Sequence, residues 1–199
     1  RAPRDSAIAA VLLTDAQVDH ATGLLGLRER GQPLPVWCTP PVAADLSDGL
    51  PVLRLLAAYA GVRHQVVPID REFTMPGLAG LRFRALAVPG NAPPYSPRRG
   101  KPAEGDVIGV TIIDVARGTR AFYAPGLGDV TPAVFDAMGS ADAVLVDGTF
   151  WTDDELDAVG PGRPRAREIG HLPLAGPGGM LEVLRRLPAR TRRFLVHMN

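Results

Sequence analysis

AIAAVLLTDAQVDH, residues 7–20, runs an apolar segment straight into a cluster of side chains with coordinating atoms. Ala7 to Leu13 is wholly apolar, which suits a short strand buried on both faces, as in sheets enclosed between helices. Directly behind it come Asp15, Gln17, Asp19 and His20. Asp15, Gln17 and Asp19 alternate as ligands do in a calcium loop. Such a loop needs a glycine next and a bidentate glutamate at its twelfth position, and here His20 and Gly26 stand there. Imidazole beside carboxylate instead suits iron or zinc, with a second imidazole supplied from elsewhere. The same residue types also make an Asx-type turn with Asp19 capping the next helix. Residue types alone leave both readings open.

The second imidazole has three sources, His64, His171 and His197. His197 is the best placed, because an apolar strand ending in histidine delivers its ring to a sheet edge, where sites in layered α/β folds gather. His64 opens a strand and has no such company. His171, in EIGHLP, and Asp147, in LVDGT, each follow or end an element beside turn residues. Each is also explained as a backbone-bonded loop histidine or a turn-forming carboxylate. Jointly they place ionisable groups at several strand ends or loops.

Composition narrows the function. With 22 basic and 21 acidic residues, the formal charge is +1, so electrostatics gives no case for a nucleic-acid partner. A single cysteine, Cys38, excludes an internal disulfide framework and a structural zinc site of several thiolates; a reducing, cytoplasmic setting is the expectation. No apolar run reaches the roughly 18–20 residues of a membrane span, and the arginine-rich start lacks the apolar centre of a signal peptide.

Periodicity supplies the remaining elements. Helices are expected over Ala21–Arg30 and Leu50–Ala60, closed by Gly31 and Gly61, with strands at 36–39 and 63–69. LRFRALAV (81–88) and VIGVTIIDV (107–115) are the clearest strands, the latter turning through ARGT into RAFYA (120–124) as a hairpin, so antiparallel pairing is expected there. From Thr131 the order is helix (PAVFDAM), strand (142–147), polar loop, helix (178–187) and strand (RRFLVH), a βαβ-like half. PGNAPPYSPRRGKP, residues 89–102, holds five prolines and two glycines and reads as an irregular lid or surface loop. GLG at 126–128 lacks dinucleotide-loop spacing. The whole suits one layered α/β sandwich.

LLTDAQVDHATGLLGLRE, APPYSP, FYAPGLG, LVDGTFW, REIGHLP, GPGGMLEVL and LVHMN together closely resemble the pyrroloquinoline quinone (PQQ) biosynthesis protein B family. That resemblance implies an α/β metallo-β-lactamase-like αββα sandwich, a single domain over residues 1–199. Because the family's cysteine-rich segment near the start and its continuation beyond MN have no counterpart, the sequence is read as a fragment lacking N-terminal strands and the C-terminal end. The superfamily's HxHxDH motif corresponds to DAQVDH. Asp15 and Gln17 replace its first two histidines, as candidates for a supporting or second-metal role, while Asp19 and His20 are retained. With His197 these form a metal triad of two histidines and one carboxylate, matching non-haem Fe(II) oxygenases.

The implied activity is therefore hydroxylation of the tyrosine of a Glu-Tyr precursor peptide, with oxygen as co-substrate and Fe(II) as cofactor; Zn or Mg could fill the same donors. A carrier moving PQQ or its precursor to the periplasm is the alternative, and a zinc-dependent hydrolase is placed behind the oxygenase. Asp147 and His171 are expected catalytic groups for proton handling or ligand orientation. Tyr95, Ser96, Arg98 and Arg99 are candidate substrate contacts, guanidinium being a good partner for carboxylates. A homodimer is one assembly the reading allows.

Overall fold

The computed structural model describes residues 6–198. Two sheets face each other. The smaller has three parallel strands, β1 (Val11–Leu12), β2 (Leu34–Cys38) and β3 (Val62–Val66), in that order. The larger runs in sequence order: β4 (Glu72–Phe73), β5 (Leu81–Ala87), β6 (Ile108–Asp114), β7 (Thr119–Ala124), β8 (Ala143–Asp147) and β9 (Arg192–Val196). Pairing is antiparallel from β4 to β7 and parallel from β7 to β9.

Two-residue alternation sorts the side chains into three apolar layers. Leu34, Val36 and Cys38 of β2 pack outward with Leu24, Val42, Leu46 and Leu56 of the helical segments on that side. Trp37 points the other way, and with Phe83, Ala85, Ile108 and Val110 it fills the space between the sheets. Phe122, Val144 and Val146 meet Val134, Met138, Met180 and Leu184 of the opposite helices. Helix, sheet, sheet, helix is the αββα order that the family resemblance implies. At Gly109 the packing is close enough that a Cβ would lie 2.6 Å from the Phe122 ring.

Helix α4 (Pro132–Ser140) begins with Pro132 at its first position, and the Thr131 hydroxyl accepts from the Val134 N–H at 3.3 Å, satisfying one of the otherwise unpaired N-terminal donors. Helix α6 (Met180–Arg186) buries Met180, Val183 and Leu184. Numbering in chain order, α1 is Val18–Ala21, α2 Pro40–Ala44, α3 Val52–Ala57 and α5 Ala166–Ile169.

Several expectations are corrected. The first strand is two residues long and half-buried, not a fully buried run from Ala7. The helix expected over Ala21–Arg30 is a short α-turn continuing as a 3-10 segment through Thr22–Leu27, in keeping with two glycines that weaken α-helix. Leu50–Ala60 shortens to α3, preceded by α2 and a π-type turn over Asp45–Gly49. The proline-rich segment is a built loop. Arg98 donates to Asp45 at 2.6 Å, to Asp106 at 2.8 Å and to the Pro41 carbonyl at 3.0 Å, and both carboxylates are buried.

Candidate metal centre

Three strand ends converge. Asp147 closes β8 opposite Val196 of β9, so the residues that follow each strand emerge side by side. On the other sheet β1 runs out into Thr14 and Asp15, and the Ile108 N–H of β6 donates to the Thr14 carbonyl at 2.8 Å, tying the two sheets at this edge. Helix α5 ends at Gly170, whose left-handed backbone (φ +99°) turns the chain into His171, a conformation open to glycine at little cost.

The donors from these ends meet. One ligand atom each from Asp19, His20 and His197 lies within 4.8 Å of the others, and the same is true of Asp147, His171 and His197. Within the first group, Asp19 Oδ2 is 2.9 Å from His197 Nε2 and 3.9 Å from His20 Nε2. The His20 and His197 rings stand edge to face with centroids 4.7 Å apart. His197 belongs to both groups, and its backbone is left-handed (φ +57°), a strained setting of the kind that clusters at functional sites.

Buried carboxylates brace the imidazoles. Asp15, 1% exposed, lies 2.8 Å from His20 Nδ1, and Asp147, fully buried, lies 2.6 Å from His171 Nδ1. An ionised carboxylate can only accept, so each Nδ1 carries the proton and each Nε2 is left with its lone pair. Asp15 is itself held by the Thr14 hydroxyl at 3.0 Å and the Gln17 N–H at 2.9 Å. The hydrogen bond to Asp15 raises the His20 pKa against the opposing pull of burial. Burial alone would raise the Asp19 carboxyl, but the hydrogen bond from His197 and the charge of His20 leave it below the usual range.

The donor chemistry fits a metal ion. Bonds of about 2.0–2.2 Å place two donors on one ion at most about 4.4 Å apart, and the Asp19 separations of 2.9 and 3.9 Å fall inside that span. Asp19 is exposed while His20 and His197 are mostly covered, so the group opens to solvent on one side.

Gln17, expected as a supporting or second-metal residue, donates to the Asn91 carbonyl at 3.2 Å, joining the motif to the proline-rich loop. The four candidate substrate contacts each have an internal partner. The Tyr95 hydroxyl donates to the Ala16 carbonyl, Ser96 to Asp45 at 2.8 Å and Arg99 to the Ala92 carbonyl at 2.7 Å, while Arg98 is committed as above. Burial and the nearby charges of Asp45 and Asp15 push the Tyr95 hydroxyl up to about 12, keeping it a donor. These groups hold the loop and clamp TDAQVDH. His64 contacts the Cys38 carbonyl at 3.2 Å, on the smaller sheet. Thr149 was not anticipated. It lay inside LVDGT as a turn residue, yet its hydroxyl is 2.6 Å from Asp147 Oδ1 and 2.9 Å from His197 Nδ1.

Comparison with known proteins agrees with this architecture. The model of the β-lactamase superfamily domain matches residues 1–198. Coenzyme PQQ synthesis protein B of Azoarcus sp. (strain BH72) is 55% identical over 199 residues, covering 100% of this chain and 66% of that protein. Its counterpart from Methylococcus capsulatus is 50% identical, covering 98% of this chain and 64% of that protein. The chain thus spans just under two thirds of the length of these relatives. The crystal structure of Zn2+-bound PqqB from Methylobacterium extorquens superposes with a TM-score of 0.83 at 34% identity, covering 98% of this chain and 64% of that one. Unliganded yeast PDE1 shares the fold at 12% identity, with a TM-score of 0.65 over 95% of this chain and 57% of that one.

The zinc in that PqqB overturns one expectation. An Fe(II) oxygenase was placed ahead of a hydrolase, but the solved relative at 34% identity is zinc-bound. Zinc has no redox chemistry with which to activate oxygen and supports hydrolysis instead. Among the described residues no helix is long and apolar enough to cross a membrane.

Proposed function

The chain belongs to the metallo-β-lactamase superfamily and, within it, to the PQQ synthesis protein B family, and from that premise we propose that it is a zinc-dependent hydrolytic protein of PQQ biosynthesis. The observation that carries the reading is the grouping of Asp19, His20 and His197, with its exposed carboxylate and its braced imidazole of His20. These three residues would hold the ion. Zinc, when bound, supplies Lewis-acid polarisation and a water acidic enough to be a nucleophile near neutral pH.

The remaining work falls to the chain. Asp15 fixes the His20 ring so that Nε2 faces the centre. His171, its Nδ1–H committed to Asp147 at 2.6 Å, keeps Nε2 free to accept a proton and return it to a leaving group. Phe150 packs against the edge of that ring at 5.5 Å and limits its rotation. In amide hydrolysis the C–N bond breaks, the hydroxyl of water joins the carbonyl carbon, and the remaining proton goes to the amine. A small peptide-derived precursor of the quinone, such as one containing Glu-Tyr, is the substrate class in keeping with the family's pathway.

A carrier of the quinone or its precursor is the alternative reading, and it predicts association with the quinone without turnover.

The test is to load metal-free protein with zinc or with Fe(II), anaerobically and in air, and to follow a Glu-Tyr peptide by mass spectrometry. Expected are one tightly held zinc lost in His197→Ala, and zinc-dependent cleavage without oxygen. Conversion that needs both iron and oxygen, or a wild-type chain that holds no zinc, would overturn the proposal.

A further inference from the structure

Beyond Gly148 the chain of β8 is pressed against the end of β9. The Gly148 N–H donates to the Val196 carbonyl at 2.8 Å, and a Cβ at this glycine would lie 3.0 Å from Leu195 Cβ and 3.2 Å from the Val196 carbonyl oxygen. This close approach brings Thr149 against His197. The Thr149 N–H donates to Asp147 Oδ1 at 3.0 Å, and its hydroxyl lies 2.6 Å from that same oxygen, 2.9 Å from His197 Nδ1 and 3.0 Å from the His197 carbonyl.

A hydroxyl has one proton to give. The shortest of these contacts, to a buried carboxylate, takes it as a charge-assisted bond. The hydroxyl lone pairs then face His197 Nδ1, which must supply the hydrogen. Asp147 cannot accept that hydrogen directly, because its Oδ1 is 3.8 Å from Nδ1, beyond hydrogen-bond range. His20 and His171 meet their carboxylates at 2.8 and 2.6 Å; His197 meets its own through a spacer.

We infer that Thr149 is the positioning residue for His197: its hydroxyl relays the Asp147 carboxylate to Nδ1, keeps a proton on Nδ1 and turns Nε2 toward Asp19 and His20, where without a metal Nε2 donates to Asp19 at 2.9 Å and a bound ion would take that proton's place. The left-handed backbone at His197 (φ +57°) swings the ring back over the end of β8, and the contact of its Nδ1 with the Thr149 hydroxyl at 2.9 Å holds it there. The inference rests on the metal reading above for its consequence in zinc affinity, though the hydrogen-bond relay itself does not.

Thr149→Val keeps the shape and removes the hydroxyl, whereas Thr149→Ser keeps it. Zinc affinity, measured by competition with a chromophoric chelator, should fall about 10–100-fold in Thr149→Val, the range for loss of a partner that orients a ligand, and stay within a few-fold of wild type in Thr149→Ser. Nitrogen-15 NMR of the histidine rings in the metal-free wild type should show a proton on His197 Nδ1 coupled to the threonine hydroxyl. Wild-type affinity in a folded Thr149→Val, or a His197 Nδ1 without a proton in the wild type, would overturn the inference. Absence of zinc binding by the wild type strikes the proposed function alone, because the ring measurement needs no metal and no variant.

Discussion

Replacing Arg98 by alanine tests whether the proline-rich loop is scaffold. Arg98 is 25% exposed, but its partners Asp45 and Asp106 are 3% and 2% exposed. Removing the guanidinium strands two carboxylates in the interior. Each keeps one donor, the Ser96 hydroxyl at 2.8 Å for Asp45 and the Ala103 N–H at 2.7 Å for Asp106, so neither is wholly abandoned. Breaking a buried ion pair from one side costs about 3–5 kcal/mol; with Arg98 partly in water, the low end, about 3 kcal/mol, is expected. For a chain of this size about 2–4 °C of Tm accompanies each kcal/mol, giving a drop of roughly 6–12 °C. Urea unfolding of wild type, Arg98→Ala and Arg98→Met separates charge from packing, since methionine restores much of the apolar stem. In Arg98→Ala with Asp45→Asn and Asp106→Asn, much of the loss should return. A loss below about 1 kcal/mol in Arg98→Ala, the range of surface pairs, would refute the scaffold argument and return Arg98 to the candidates for substrate recognition.

Other perturbations probe different parts of the molecule. In the metal-free protein His20 should titrate above its ordinary value, because Asp15 hydrogen-bonds its charged form, and Asp15→Asn should lower that midpoint by proton NMR. The sign follows: a raised histidine pKa stabilises the fold fully below about pH 6.5, and the benefit disappears as pH rises through the folded-state value. The pH-dependent part of the stability gap between wild type and Asp15→Asn should therefore shrink toward alkaline pH; a gap that widens there contradicts the assignment. Gly109→Ala places a methyl group 2.6 Å from the Phe122 ring and should cost about 1–3 kcal/mol by overpacking, read by the same unfolding assay; no loss would mean that the Phe122 ring yields freely.

The larger sheet was readable because β5 to β9 carry long apolar strand patterns, and α4 shows its start in Thr131 and Pro132. The smaller sheet was less so. Its strands are short, and β1 reduces to Val11 and Leu12 because its ladder with β2 covers only those two residues. The turn at Asp45–Gly49 and helix α5 are brief and carry mixed polarity, leaving no period to detect. Among the candidate ligands, His197 stood out because it directly follows an apolar strand, and Asp19 and His20 because they follow the apolar run at the start. Thr149 did not, since the imidazole that gives its hydroxyl a role lies 48 positions away. The pairing of Arg98 with Asp45 was hidden for a similar reason, the two lying 53 residues apart. Two imidazoles and a carboxylate are donors that iron and zinc both accept, so the choice of metal was never written in the residue types.

Asp19 and His197 are 178 positions apart, and that separation has a consequence for biogenesis. A growing chain on the ribosome holds DAQVDH long before β9 is made, so early in synthesis it offers only part of the proposed donor set. The set is complete only once β9 has docked beside β8. On the proposed metal reading, ion binding would therefore favour the docked β9 by mass action, and a chelator should loosen that docking.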